Sequence, residues 1–159
     1  MAAASKPGND PMLINNADFC VKHNAQLIAA VIEQLFEELK YSFKETGKVS
    51  DDILAALNNV FDATLVPALD LVDNCSVTVL TCPAGRHVYQ VIGSSGTPYT
   101  CLVSCQYCSC PAYRFSVLKK EDHVMCKHVL AVKLSNAMGV TKELQVTDAE
   151  IGRMISQME

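Results

Sequence analysis

The sequence predicts an α+β fold in which N-terminal helices precede a short antiparallel sheet and a metal-binding turn that leads into a helix. Three observations predict this order. Apolar residues recur every three or four positions in the first part of the chain, as on one face of a helix. The pattern then changes to short runs rich in β-branched and aromatic residues, separated by turns. Cysteine and histidine residues follow in two closely spaced pairs.

Size and charge limit the possible classes of protein. The chain has 159 residues, 50% of them hydrophobic, and a net charge of -4. This length suits one main hydrophobic core, and the acidic balance argues against a generally basic, nucleic-acid-coating surface. The first residues lack the apolar run of a signal peptide, and we expect no membrane span. We therefore expect a reducing compartment, where clustered cysteines more often bind metal than form disulfides.

Residues 1–16 are predicted to be a flexible leader, because they contain glycine, proline and asparagine and little to bury. Residues 17–74 are predicted to be a helical region. Its first helix runs from residue 18 to about residue 44 and is stopped by Gly47. The apolar stripe of this helix comprises Leu27, Ile28, Val31, Ile32, Leu35, Phe36, Leu39 and Phe43.

Two shorter helices are predicted next. Ser50 before Asp51 and Asp52 is a typical helix start, since a hydroxyl caps a free N–H and carboxylates favour the positive end of the helix dipole. Pro67 suits the first turn of a third helix, which Asn74 ends.

Residues 75–139 are predicted to combine a three-stranded meander with the metal-binding segment. The strands are expected at residues 76–81, 86–92 and 99–104, with short glycine- and proline-containing turns between them. Residues 93–97 resemble a phosphate-binding loop in composition, but Pro98 and a strand follow instead of the required lysine and helix.

Residues 140–159 are predicted to be a C-terminal helical tail. Gly139 closes the preceding helix. Thr147 and Glu150 form a capping box at the start of a last helix. One side of that helix carries Ile151, Met154, Ile155 and Met158.

The candidate metal ligands lie in a C-x-C pair and a C-x-H pair: Cys108, Cys110, Cys126 and His128. Three thiolates and one imidazole supply the four ligands of a tetrahedral Zn²⁺ site. Four protein ligands leave no open position for water, so the zinc is predicted to be structural and the chain not to be an enzyme.

Other interpretations of these residues remain open. Cys105 is spaced C-x-x-C with Cys108 and could replace one zinc ligand. The same pair could be a thiol-oxidoreductase site, although Pro111 disfavours a helix start there. The four residues could also be a reduced, metal-free part of the core. His87 and His123 are expected to be solvated or hydrogen-bonded rather than ligands.

Basic residues outnumber acidic residues around the candidate zinc site. They could form an ordinary solvated face, or a modest phosphate-facing patch in which Tyr113 or Phe115 stacks on bases. These basic residues are Arg114, Lys119, Lys120, Lys127 and Lys133.

The order of strand, C-x-C, short helical insert, C-x-H and helix resembles the SWIM-type zinc finger, and Ala131 matches the alanine of its extended C-x-H-x-x-A form. The chain also resembles the family of small SWIM-domain subunits of Shu recombination complexes. This likeness is carried by residues 68–73, 88–95, 107–112, 115–118 and 126–128.

The resemblance implies one structural Zn²⁺ on Cys108, Cys110, Cys126 and His128, in a nuclear, non-enzymatic adaptor without a small-molecule substrate. Such an adaptor forms a heterodimer with a RecA-like recombinase paralogue, an ATPase. It promotes assembly of the strand-exchange recombinase on single-stranded DNA during double-strand break repair by homologous recombination. Ala131 lies one turn after His128, where a small side chain lets the helix approach the site or the partner. The alternative function is a zinc-finger module that binds nucleic acid directly.

Overall fold

The computed structural model describes residues 16–158 as an α+β fold, which confirms the predicted class. The chain divides into two compact units, Met1–Glu33 and Gln34–Glu159. The predicted leader, apart from Asn16, lies outside the described residues.

Three helices form the N-terminal region, as predicted. They are α1 (Asn16–Thr46), α2 (Asp51–Phe61) and α3 (Leu65–Asp73), with a 3-10 turn at Asp62–Thr64. The Oγ of Ser50 accepts a hydrogen bond from the Ile53 N–H at 3.4 Å, so the predicted cap of α2 is present. Pro67 lies in the first turn of α3.

The apolar stripe of α1 differs between the two units. In the second unit, Phe36 and Leu39 are buried, and the Phe36 ring lies 6.1 Å from the Phe61 ring. In the first unit, three apolar side chains are more than half exposed: Leu27, Ile28 and Val31. The stripe therefore supplies core residues from its C-terminal part.

From the sequence we expect no membrane span. By length and composition, however, Asp51–Asp73 is long and apolar enough to cross a membrane. In the structure this segment comprises α2 and α3 with the 3-10 turn between them. Its buried side chains are Leu57, Phe61, Leu65, Ala68, Leu71 and Val72. These side chains belong to the hydrophobic core.

The sheet contains the predicted antiparallel meander and two further strands. Its members are β1 (Val77–Thr81), β2 (His87–Ile92), β3 (Pro98–Leu102), β4 (Tyr107–Cys108) and β5 (Lys142–Gln145), in the order β4-β3-β2-β1-β5. β4 pairs antiparallel with β3, whereas β5 pairs parallel with β1. The prediction that residues 140–159 form a helical tail is therefore wrong in part. β5 joins the sheet before the last helix begins.

One face of the sheet packs against α4 (Lys127–Met138), which contacts β1, β2, β3 and β4. Strand alternation and register place Val91, Tyr99 and Cys101 on this face. α4 also packs against α3. It ends as predicted at Gly139, whose φ of 67° is a left-handed conformation that glycine adopts without strain.

The opposite face packs against α5 (Asp148–Ser156), where Leu80 and Val88 of the sheet cluster with the fully buried Ile151. The predicted capping box of α5 is present. The Thr147 side chain accepts from the Glu150 N–H, and the Glu150 carboxylate accepts from the Thr147 N–H at 2.7 Å.

Candidate metal centre

The C-x-C pair is held at the end of the sheet. Cys108 is the last residue of β4. The next residue is tied to β3 in two ways, because the Ser109 N–H donates to the Thr100 carbonyl and the Thr100 N–H donates to the Ser109 Oγ, each at 3.0 Å. The chain then turns through Cys110 into a helical segment, so both sulfurs lie beside the sheet.

The C-x-H pair is held at the start of α4. Cys126 is the residue before the helix and has extended backbone angles, φ -76° and ψ 160°. His128 lies in the first turn. Free N–H groups and the positive end of the helix dipole at this position favour a thiolate at Cys126.

The structure brings the four predicted side chains together. The ligand atoms of Cys108, Cys110, Cys126 and His128 all lie within 4.8 Å of one another, and all four residues are buried. The Cys108 Sγ lies 3.8 Å from the His128 Nδ1. Zinc–sulfur bonds of roughly 2.3 Å and zinc–nitrogen bonds of roughly 2.0 Å put the sulfur and nitrogen of a tetrahedral site roughly 3.5 Å apart. The cluster therefore fits a single structural zinc.

The His128 ring is oriented by its neighbours. The Tyr99 ring lies against it, with a centroid distance of 4.4 Å and an interplanar angle of 30°. Within residues 16–158, the His128 Nε2 is buried and has no hydrogen-bond partner. The ring nitrogen that faces the Cys108 sulfur is Nδ1.

The thiols are close enough to perturb one another's protonation. The pKa of Cys108 is raised, mainly by its hydrogen bond with Cys101, and the pKa of Cys126 is raised, mainly by its hydrogen bond with Cys108. The pKa of Cys110 is lowered, mainly because a hydrogen bond from Cys108 stabilises its thiolate. A Zn²⁺ ion stabilises all three thiolates, so its binding displaces the remaining protons.

Other predicted or alternative ligands lie elsewhere. Cys105 is exposed, its Sγ lies 3.9 Å from the Leu102 carbonyl oxygen, and it is not part of the cluster. The His123 Nδ1 lies 2.7 Å from Asp122 Oδ1, and this hydrogen bond lowers the pKa of Asp122. The His87 ring packs edge-on against a neighbouring tyrosine ring.

Ala131 is fully buried in α4. It lies one turn beyond His128, on a helix that contacts both the sheet and α3. Of the two roles considered for this residue, close packing of the helix is the one that burial supports.

The segment between the two ligand pairs contains a π-helix, Tyr113–Lys119. Tyr113 is buried and its ring lies 5.4 Å from the Tyr107 ring. Phe115 is 55% exposed, and the Lys120 Nζ lies 4.7 Å from its ring centroid. Of the two aromatic side chains considered for base stacking, only Phe115 is accessible.

Sequence reasoning missed two neighbours of the cluster, Tyr99 and Cys101. Their alternation in β3 indicates that they share one face of the sheet. The sequence did not reveal which face of the sheet α4 would cover. It also did not predict β4, which places Cys108 opposite Cys101.

Residues 99–137 match the family model described as SWIM zinc finger. The chain is 46% identical over 127 residues to the Homo sapiens protein "Zinc finger SWIM domain-containing protein 7", a match that covers 80% of this chain and 91% of the human protein. The Mus musculus protein of the same name is 44% identical over 133 residues, covering 84% of this chain and 88% of the relative. A Dictyostelium discoideum homolog is 35% identical over 129 residues, covering 79% and 83%. No solved structure matches the chain.

Proposed function

The chain belongs to the zinc finger SWIM domain-containing protein 7 family, and we propose that it acts as a zinc-stabilised adaptor rather than as an enzyme. In this proposal it pairs with a RecA-like recombinase paralogue in a Shu-type complex. The pair promotes recombinase assembly on single-stranded DNA during double-strand break repair by homologous recombination, which implies a nuclear location.

The observation that carries the proposal is the closed ligand set. Three cysteines and one histidine, all buried, provide four ligand atoms within 4.8 Å of one another. Catalytic zinc sites keep a position for water or substrate, whereas structural sites use four protein ligands. The ligand set therefore suits a zinc that maintains the shape of the protein, with function residing on the surface.

A small, mainly apolar cavity beside the ligand Cys126 suits one partner side chain. The cavity has a volume of about 150 Å³ and is lined by α3, the π-helix segment and the start of α4, including Pro67, Val117 and Cys126. Because ligands flank both the π-helix and α4, zinc would hold these two walls at a constant separation.

Exposed apolar side chains surround this part of the molecule. Phe115, Leu118 and Val124, all between the two ligand pairs, are 55%, 57% and 43% exposed. Aromatic side chains are enriched at protein interfaces, and surrounding apolar contacts exclude water from them. We call these three residues the zinc-loop surface and propose that it contacts the ATPase partner.

Co-expression with a RecA-like recombinase paralogue tests the proposal. We expect a stoichiometric complex on size-exclusion chromatography that is lost in a Phe115→Ser/Leu118→Ser double variant retaining its zinc. A Val140→Ser/Ile155→Ser variant, at residues that are 39% and 40% exposed, is the matched control and should still form the complex.

Two outcomes separate the parts of this proposal. If the unchanged chain forms no complex with the paralogue, the adaptor role is wrong. If Leu27→Ser/Val31→Ser abolishes the complex and the zinc-loop variant does not, the adaptor role holds but the contact surface lies on α1.

Direct nucleic-acid binding is the second candidate, favoured by exposed Phe115 beside exposed Arg114, Lys119 and Lys120. An aromatic ring among cations suits stacked bases and phosphates. The net charge of -4 and the Asp122 carboxylate next to these residues, which lies 2.7 Å from the His123 Nδ1, oppose it. Salt-sensitive binding of single-stranded DNA by the isolated chain, lost in Lys119→Glu/Lys120→Glu, would favour this candidate; no binding at low salt would exclude it.

A further inference from the structure

Cys101 provides a fourth cysteine sulfur beside the three of the metal cluster. It lies on β3 directly opposite Cys108 on β4, and both side chains are fully buried. The two Sγ atoms are 3.5 Å apart, within the range of a sulfur–sulfur hydrogen bond. Cys101 is not one of the four clustered ligands. Its thiol therefore lies against one ligand sulfur from outside the ligand set.

The other two ligand sulfurs each have a backbone group that stabilises their charge. The Tyr113 N–H donates to the Cys110 Sγ at 3.3 Å. Cys126 lies at the N-terminus of α4, where the positive end of the helix dipole stabilises a thiolate. Donors of this kind orient a metal-bound thiolate and stabilise its charge.

Cys108 cannot obtain the same donor, because the residue three positions later is Pro111, which has no N–H. A zinc-bound Cys108 carries no proton, so it can only accept a hydrogen bond. Cys101 lies outside the ligand set and keeps its S–H, which is a weak donor. It is also at the right distance, on the strand that pairs with Cys108.

We propose that the Cys101 thiol donates a hydrogen bond to the zinc-bound Cys108 sulfur and thereby positions this ligand. Three thiolates on Zn²⁺ leave a buried site with a net charge of about -1, so each donor stabilises charge that is shielded from water. Removing such a donor typically weakens metal binding by roughly 10- to 100-fold. Because S–H is a weak donor, we expect the lower end of this range.

The test compares Cys101→Ala with Cys101→Ser in the full chain under reducing conditions. Zinc affinity is measured by competition with a chelator, and the sulfur-to-metal charge-transfer band is recorded after substitution with Co²⁺. We expect Cys101→Ala to bind zinc about tenfold more weakly, with the band at lower energy, because Cys108 becomes more electron-rich. Cys101→Ser keeps a donor and should restore both values.

Cys82→Ala is the matched control, since Cys82 is also buried but belongs to the cluster on the opposite face of the sheet. It should lower stability without moving the cobalt band. If Cys101→Ala behaves like this control, Cys101 only fills space and the proposal is wrong. If the alanine variant does not fold, Cys101→Val fills the space without a donor. A serine variant with weak zinc binding and a valine variant with normal binding would also overturn the proposal.

Discussion

On one face of the sheet, α4 and the Cys₃His cluster cover Tyr99 and Cys101, whereas on the other face α5 covers Leu80 and Val88. The first face is held by four ligands at defined distances, every one of them buried. The second face depends on a small apolar cluster and is only partly covered, since Leu144 of β5 is 54% exposed. The four zinc ligands and the apolar cluster around Ile151 thus lie on opposite sides of one sheet. Each group can be changed by its own substitutions.

Loss of a zinc ligand should have the largest effect. Cys126→Ser removes one of the four ligands, and structural zinc contributes on the order of 10 kcal/mol of apparent binding free energy. We expect loss of bound zinc, measured by elemental analysis, and rapid amide exchange in residues 105–131. Amides of α5 should be protected for longer, if the two faces are independent.

Cys105→Ser is the control for this experiment, because Cys105 is exposed and not part of the cluster. It should retain one zinc per chain. Loss of zinc from Cys105→Ser would overturn the ligand assignment.

Truncation of the apolar cluster on the other face should cost less and leave the metal bound. Ile151 is fully buried, so Ile151→Ala should lower the free energy of unfolding by about 2–5 kcal/mol in urea denaturation. Ile155→Ala, one turn later at a residue that is 40% exposed, should have a smaller effect. Zinc loss from Ile151→Ala would show that the two faces are coupled.

Overpacking of α4 tests how closely the metal-bearing helix must approach its neighbours. Ala131 is fully buried, so Ala131→Thr adds a methyl and a hydroxyl group inside the core and should cost about 1–3 kcal/mol. Ala137→Thr places the same side chain at a half-buried position of the same helix and should cost less. Equal stability of Ala131→Thr and the unchanged chain would contradict the close packing.

The smallest predicted effect concerns the start of α5. Thr147→Ala removes the side-chain acceptor for the Glu150 N–H and should cost about 1 kcal/mol. Thr147→Ser retains a capping hydroxyl and should recover most of this loss in the same urea titration. A variant as stable as the unchanged chain would show that the cap does not contribute to the stability of α5.

The sequence predicted features on both faces where the signal is local. The C-x-C and C-x-H pairs carry ligand chemistry in their spacing, so the cluster followed from local sequence. The cap at Ser50, the capping box at Thr147 and the stop at Gly139 were predicted for the same reason, since each is a local signal.

The missed features depend on contacts between distant residues. β5 has four exposed residues, and its place in the sheet comes from pairing with β1 rather than from a strand pattern. β4 has two residues and exists because Cys108 pairs with Cys101. The roles of Tyr99 and Cys101 could not be predicted before the face covered by α4 was known.

The parallel pairing of β1 with β5 has a consequence for folding during synthesis. Thr78 pairs with Lys142, so β2, β3, β4, the zinc ligands and α4 all leave the ribosome before β1 can gain this neighbour. Until then the outer edge of β1 is unpaired, and an unpaired edge can pair with strands of other chains. Metal loading can therefore precede the pairing of β5 with β1, and β5 is the strand that covers the β1 edge.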